Sequence, residues 1–317
     1  MEKVLITGAT GFVGQAFVKK VLADNRYTPV ITVRKPLAQE SQLQQFIVPD
    51  LAQPVDWSEA LKNTNIVVHI AGRAHILKET ATDPLQAFRE VNVAATIQLA
   101  KQALEAGVKR FIFVSSIGVN GNHTKQPFTE QDTANPEGNY AISKLEAEQA
   151  LWQLTKDTPM ELVIIRPPLV YGEGVKANFL SLIKWVYRGI PLPLGLVKNK
   201  RSFVNVDNLV DLLYRVMEHP KAADQVFLVA DGEDLSTPQL LKAVAKAMNK
   251  SANLIPIPVS CLRLMATVVG KKNIARQLCD SLQVDISKAK TLLDWQPPFS
   301  VQQGLEKTVN AFLKDKA

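Results

Sequence analysis

Tyr140 and Lys144 open a helical stretch, Tyr140-Ala141-Ile142-Ser143-Lys144, directly after the loop Pro136-Glu137-Gly138-Asn139. Their spacing stacks the two side chains one turn apart on one helix face. A free tyrosine, with a pKa of ~10, is a poor acid or base near neutrality. An ammonium close by stabilises the phenolate and lowers that value. Lowering it by about three units takes ~4 kcal/mol of differential stabilisation, part of which Lys144 would supply. Ser115 and Ser116 close the apolar run Phe111-Ile112-Phe113-Val114. A hydroxyl there can hold a substrate oxygen while Tyr140 moves the proton; alternatively, both serines only satisfy local backbone groups. Asn92 sits between Val91 and Val93 inside a helical pattern, where an amide is neither a good helix former nor a cap. It either orders a water or backbone near Lys144 or is a satisfied buried amide.

The elements that must position these residues begin at the first loop, Thr7-Gly8-Ala9-Thr10-Gly11-Phe12-Val13-Gly14. An apolar run precedes it, and the helical period of Phe17, Val18, Val21 and Leu22 follows it. Strand, glycine turn and helix start in that order make a phosphate cradle of the dinucleotide-binding kind. Gly8 permits the turn, Gly11 lets backbone approach a pyrophosphate, and Gly14 allows close helix–strand packing. Further strands are expected at Val30–Val33, Phe46–Val48, Ile66–His69, Phe111–Ser115 and Leu162–Arg166, with helices at 11–23, 57–62, 83–106 and 138–156. The alternation predicts an α/β fold, a doubly wound Rossmann parallel sheet covered on both faces. Its ligands sit beyond the strand C-termini. After Arg166 prolines multiply and short helices dominate, so residues 1–166 read as the dinucleotide-binding domain and 167–317 as mainly a smaller substrate-binding lobe. Strand-like runs at 203–206 and 225–229 are expected to return to the sheet.

The chain of 317 residues carries a net charge of +7, spread in short clusters such as Lys198-Asn199-Lys200-Arg201. That scatter favours small anionic partners over a nucleic-acid groove, which would want a basic stripe. Cys261 and Cys279 have no metal-site spacing, and neither do His69, His75, His123 and His219. Two scattered cysteines point to buried thiols in a reducing compartment. With no signal-peptide pattern at the N-terminus, a cytoplasmic protein is expected. The apolar stretch from Leu254 to Gly270 is broken by Pro256, Pro258 and Arg263, so it is no clean membrane span. It reads as a lobe helix, with a peripheral amphipathic contact as the alternative.

Position 34 decides the cofactor. An acidic residue about 20 positions past the glycines grips the ribose of NAD, whereas arginine accepts the 2′-phosphate of NADP. Arg34 and Lys35 stand there, so NADP(H) is expected, with NAD(H) as the alternative. Asp50 closes the third strand as a partner for the adenine end.

Taken together, the sequence resembles the extended short-chain dehydrogenase/reductase family, in its nucleotide-sugar epimerase and dehydratase branch. The resemblance is carried by the glycine loop, Asp50-Leu51, His69-Ile70-Ala71-Gly72, Asn92, Val114-Ser115-Ser116, Tyr140 with Lys144, and Arg166-Pro167-Pro168-Leu169-Val170-Tyr171-Gly172. It implies Tyr140 as general acid/base, Lys144 as its partner and ribose ligand, and Ser116 as the substrate-holding hydroxyl. It implies cofactor contacts from Gly8, Thr10, Gly11, Phe12, Val13, Gly14, Asp50, Leu51, Ile70, Ala71, Gly72, Asn92, Pro167 and Val170. Substrate contacts are implied for Ser115, Ser116, Asn178, Arg201 and Arg276, the last three toward the diphosphate of a UDP-linked sugar. No metal is implied, and a homodimer through the helices at 83–106 and 138–156 is. Two departures stand out: Arg34 where the family commonly has an acidic residue, and Val119-Asn120-Gly121 where it commonly has Val-Tyr-Gly.

Ser116 is followed by Ile117-Gly118 rather than the acidic pair of a dehydratase, which disfavours water elimination. Arg34 and Lys35 lean toward net reduction. The segments Gly72-Arg73-Ala74-His75, Val119-Asn120-Gly121 and Arg166–Phe179 are similar to bacterial 4-reductases that form UDP-N-acetylquinovosamine. The expected reaction is therefore NADPH-dependent reduction of the C4 ketone of a UDP-4-keto-6-deoxyhexosamine. A UDP-sugar 4-epimerase with tightly bound NAD is the alternative, and a non-enzymatic NADP sensor the lesser one.

Overall fold

The computed structural model describes residues 2–37, 43–74 and 81–316; His75 lies outside them. Strand β1 (Glu2–Thr7) leads into helix α1 (Phe12–Leu22), and β2 (Tyr27–Val33) and β3 (Gln44–Ile47) follow. Next come α2 (Ser58–Leu61), β4 (Thr64–His69), α3 (Pro84–Arg89), a π-helical turn over Glu90–Ala94, and α4 (Ala95–Glu105). Then β5 (Arg110–Val114), α5 (Asn139–Thr155) and β6 (Glu161–Arg166) complete the expected alternation.

These strands, with one later strand, form a seven-stranded sheet whose every pairing is parallel. The spatial order is β3, β2, β1, β4, β5, β6 and then Gln225–Leu228. Strand order reverses beside β1, where Thr7 pairs in register with His69 of β4. Such a reversal opens the crevice in which a doubly wound sheet binds ligands.

The apolar runs alternate between two cores, as strands buried on both faces require. Val4, Ile6, Val68, Ile112 and Ile165 pack on one face. Leu5, Val67, Phe111, Phe113 and Ile164 pack on the other.

Beyond Arg166 lie β7 (Leu169–Tyr171), α6 (Ala177–Tyr187), β8 (Phe203–Asn205), α7 (Val206–Glu218), β9 (Gln225–Leu228) and α8 (Thr237–Ala247). They are followed by α9 (Val259–Val268), α10 (Lys272–Cys279), α11 (Ser287–Leu293) and α12 (Val301–Lys314). A third core holds Tyr171, Phe179, Ile183, Leu241, Leu305 and Val309. The chain returns to the sheet with α7, which packs against α1, and with β9 as the edge strand. The run at 203–206 goes elsewhere, because Phe203–Asn205 pairs with Leu169–Tyr171 in a separate two-stranded sheet. Among the described residues, no helix is long and apolar enough to cross a membrane.

Candidate active site

The glycine loop lies against the loop that follows β4. The chain leaves β1 through Gly8, whose φ of +71° is open to glycine and strained for other residues. A Cβ at Gly8 would lie 2.7 Å from the Ala71 backbone nitrogen, on the loop after β4. At Gly14 a Cβ would lie 2.0 Å from the Gly8 carbonyl oxygen. The Gly11 amide donates to that same carbonyl at 2.9 Å. Thr10 and Gly11 are exposed, while Phe12 and Val13 are half-buried against the core. Among the described residues no side chain caps α1, so its first N–H groups are available to an anion. A cradle of this shape, with room only for backbone, fits the pyrophosphate of a dinucleotide.

His69 ties the two loops of the crevice together. Ala71 N–H donates to Thr7 Oγ1 at 3.2 Å, and Thr7 Oγ1 lies 2.7 Å from His69 Nδ1. On the other side, His69 Nε2 lies 2.9 Å from Thr96 Oγ1, which donates to the Asn92 carbonyl at 2.8 Å. Thr96 has spent its hydrogen, so His69 Nε2–H must be the donor there, and Nδ1 accepts from Thr7. The ring is thus neutral; burial and the charge of Lys144 push its pKa down to about 3. It also stacks on Phe113 at 5.9 Å between centroids.

Asn92 occupies the π-helical turn between α3 and α4. Such turns insert one residue into the helical ladder and recur at functional sites. Its Oδ1 accepts from Arg73 N–H at 2.7 Å, and its Nδ2 donates to the Arg73 carbonyl and to Ser143 Oγ. Ser143 in turn donates to the Tyr140 carbonyl. Asn92 therefore holds backbone, and it joins the loop after β4 to the first turn of α5. A Cβ on Gly72 would stand 3.1 Å from Asn92 Oδ1 and 3.4 Å from Lys144 Nζ, which puts these three residues side by side.

The end of β5 divides its two serines. Ser116 begins a 3-10 turn over Ile117–Val119, is partly exposed, and accepts from Gly118 N–H at 3.1 Å, so its own hydrogen stays available. Ser115 is different: its hydroxyl is buried and donates to Glu148 on α5. The hydroxyl expected at the substrate is held here by Glu148. Arg166, at the end of β6, clamps the same Glu148 carboxylate and reaches Asn120 Oδ1 at 2.9 Å.

Lys144 is buried, donates to the Val114 carbonyl at 2.9 Å and lies 4.4 Å from the Phe113 ring centroid. Burial pulls its pKa down to about 8, against the opposing pull of Glu148. Tyr140 is half-buried with its ring edge toward Phe88. Burial pushes the phenol up to about 12, opposite to the lowering expected from its neighbour. The physical reason is that the buried phenol loses the water that would stabilise its ionised form.

The remaining residues lie around this centre. Arg34 and Lys35 follow β2, exposed, and among the described residues their side chains have no hydrogen-bond or ion-pair partner. Asp50 is exposed and accepts from Ala52 N–H at 2.9 Å, while Leu51 packs on the core. Ile70 and Val170 are half-buried, and the buried Pro167 accepts from Ile117 N–H beside Ser116. In the lobe, Asn178 stands exposed in the first turn of α6, with Nδ2 3.5 Å from Gln277 Oε1. Arg276, the neighbour of Gln277 on α10, lies 3.6 Å from Glu137, three residues before Tyr140. Arg201 instead donates to the Asp280 carbonyl at 3.1 Å. Lys198, Arg263, Lys272 and Arg276 face one carboxylate, Asp280, across a cleft of about 550 Å³.

Residues 4–230 match the model of the NAD dependent epimerase/dehydratase family. The chain belongs to that family. It is 47% identical over 316 residues to a UDP-glucose 4-epimerase of Vibrio cholerae, covering 99% of this chain and 96% of that one. It is 26% identical over 324 residues to the N-acetyl-alpha-D-glucosaminyl-diphospho-ditrans,octacis-undecaprenol 4-epimerase of Escherichia coli O157:H7, covering 97% and 94%. Its fold superposes on the UDP-glucuronic acid 4-epimerase from Bacillus cereus, solved with UDP-glucuronic acid and NAD. The TM-score there is 0.81 at 22% identity, over 98% of this chain and 99% of that one.

As a member of the epimerase/dehydratase family the protein is an enzyme of the extended short-chain dehydrogenase/reductase type. Two parts of its site escape a reading of the sequence. Glu148, four residues past Lys144, shares its helix face and balances Lys144, Ser115 and Arg166 together. Its spacing from Lys144 is the one available signal. The Thr7–His69–Thr96 chain links residues 62 and then 27 positions apart and leaves no local mark.

Proposed function

We propose that the enzyme is a UDP-sugar 4-epimerase that keeps one NAD through the reaction. The observation that carries this reading is the 47% identity, across nearly the whole chain, with the Vibrio cholerae UDP-glucose 4-epimerase. It supports the epimerase alternative over the C4-ketone reductase expected from Arg34 and Lys35, and the family's NAD dependence supports NAD over NADP(H). The sensor reading falls with the chain's membership of an enzyme family.

Inversion at C4 needs that carbon oxidised to a ketone and reduced again from the other face. When bound, the nicotinamide supplies a reversible two-electron acceptor for that exchange. Gly8, Thr10, Gly11, Phe12, Val13 and Gly14 would hold its pyrophosphate, Asp50 and Leu51 its adenine end, and Ile70, Ala71, Gly72, Asn92, Lys144, Pro167 and Val170 the remainder. Tyr140 takes the proton from the sugar O4 and returns it, and Ser116, with its hydrogen free, holds that oxygen. Burial keeps Tyr140 protonated, so the charge of Lys144 one turn away must favour its ionisation before it can act as a base. The diphosphate is assigned to Asn178, Arg201 and Arg276, on the lobe formed by residues 167–317. The homodimer through the helices at 83–106 (α3 and α4) and 138–156 (α5) belongs to the same proposal.

The test is to incubate purified enzyme with UDP-glucose and no added cofactor, and to identify the nucleotide that copurifies by absorbance and mass. UDP-galactose formation with copurifying NAD is the expected result. NADPH oxidation with a UDP-4-keto-6-deoxyhexosamine, and no interconversion of UDP-hexoses, would replace the epimerase by the reductase.

A further inference from the structure

Helices α9 and α10 pack against each other, and α9 meets the lobe core mainly through Leu262 and Val259. Its opposite face is apolar as well. Leu264 is 67% exposed, Met265 48%, Val268 79% and Val269 64%, and Ile274 at the start of α10 is 47% exposed. Cys261, Leu264, Met265 and Val268 follow helical spacing and form one outward stripe. Cys261 is therefore exposed, against the expectation of two buried thiols, while Cys279 is buried. Single exposed apolar residues are ordinary on a protein surface; a contiguous group marks a contact.

The charge around the stripe has one sign. From Lys250 to Cys279 the chain carries Lys250, Arg263, Lys271, Lys272 and Arg276 and no Asp or Glu. Arg263 pairs with Asp280 at 2.7 Å, Arg276 stands 3.6 Å from Glu137, and Lys250 donates to the Tyr187 carbonyl. Lys271, just before α10, and Lys272, its first residue, have exposed side chains without an ion-pair partner among the described residues, and Lys272 also lines the cleft that holds Asp280. An aliphatic stripe with basic residues at its flank is the composition of a helix that lies in a bilayer interface.

We propose that α9 and α10 seat this enzyme on an anionic phospholipid surface, with Leu264, Met265, Val268 and Val269 entering the headgroup boundary and Lys271 facing the lipid charge. A second copy of the chain is the weaker occupant. A two-fold interface pairs the patch with itself, so a flank whose charges are all basic would be brought toward another basic flank. A fluid bilayer also accepts the exposed Val268 and Val269 without a matching groove. The inference does not depend on the reaction proposed above, because its readout is binding.

The experiment is cosedimentation of the full-length protein with vesicles of phosphatidylcholine alone or with about one-third phosphatidylglycerol, at low salt and at about 0.5 M NaCl. Binding is expected to require phosphatidylglycerol and to fall at high salt. The double variant Leu264→Glu/Val268→Glu should lower the bound fraction by about tenfold, and Lys271→Glu by severalfold, with thermal midpoint and activity unchanged. Val268→Trp should raise binding, since an interfacial ring anchors there. Wild type that stays in the supernatant, or binding that the double variant leaves intact, overturns the proposal. So does light scattering that shows a dimer in wild type and a monomer in the double variant with no vesicle binding; that outcome gives the face to a second copy.

Discussion

α5 and α9 both break the rule that apolar residues face inward and charged residues outward, and they do so in opposite directions. α5 turns Ser143, Lys144 and Glu148 toward the sheet, while α9 turns Leu264, Met265 and Val268 toward solvent. On α5 every inverted group has found a partner: Val114 for Lys144, Asn92 for Ser143, and Ser115 with Arg166 for Glu148. A buried charge is tolerated only when it is paired and hydrogen-bonded. On α9 no comparable cover exists within the described residues. A satisfied inversion positions chemistry, and an unsatisfied one marks a surface that something else covers.

The comparison can be broken most severely at Tyr140. Tyr140→Phe removes the proton-transfer group at the head of α5 and should cut kcat by roughly 10²–10⁴. Thermal stability and copurified cofactor should stay as in wild type; a variant with ordinary turnover would remove α5 from the chemistry. Glu148→Ala strikes the pairing itself. It leaves the Arg166 guanidinium, only 9% exposed, without its counter-ion, and the expected loss is about 3–5 kcal/mol in denaturant unfolding. Glu148→Gln keeps an acceptor for Ser115 and should cost less.

His69 gives the next smaller effect. Its folded pKa is pushed down to about 3 from an ordinary 6.5, so the unfolded chain takes up a proton first as pH falls. The stability tied to this ring is complete above pH 6.5 and declines below it by up to about 1.4 kcal/mol per pH unit, until the folded value is reached. Between pH 6.5 and 5 the decline comes to about 2 kcal/mol. His69→Gln should remove that part of the slope in urea melts taken across the range; an unchanged slope would mean that the ring is not held neutral. The smallest effect belongs to α9. Val268→Ser touches no core residue and should change stability by less than about 0.5 kcal/mol, which sharpens the contrast with Glu148.

The sheet was legible because its strands must be apolar on both faces. Val4 to Thr7, Phe111 to Val114 and Leu162 to Arg166 announce themselves as short unbroken runs, and the glycines after Thr7 follow from backbone geometry alone. Tyr140, Lys144 and Ser116 were legible by type and spacing, since strand ends and first helical turns meet at the crevice. Helix α5 itself was harder to read as one face, because its inner side carries a lysine and a glutamate. The π-helical turn at Asn92 reads in the sequence only as an awkward amide.

The sequence by itself determined the order of strands and helices over the first 166 residues, the glycine cradle and the family of chemistry, because each rests on short-range spacing. The tertiary structure alone decided which serine is free, which way Tyr140 and His69 shift, and which side of α9 faces out. Those properties depend on partners far apart in the chain, such as Ser115 with Glu148 or Thr7 with His69, and on the water that burial removes. Spacing along a chain records neither.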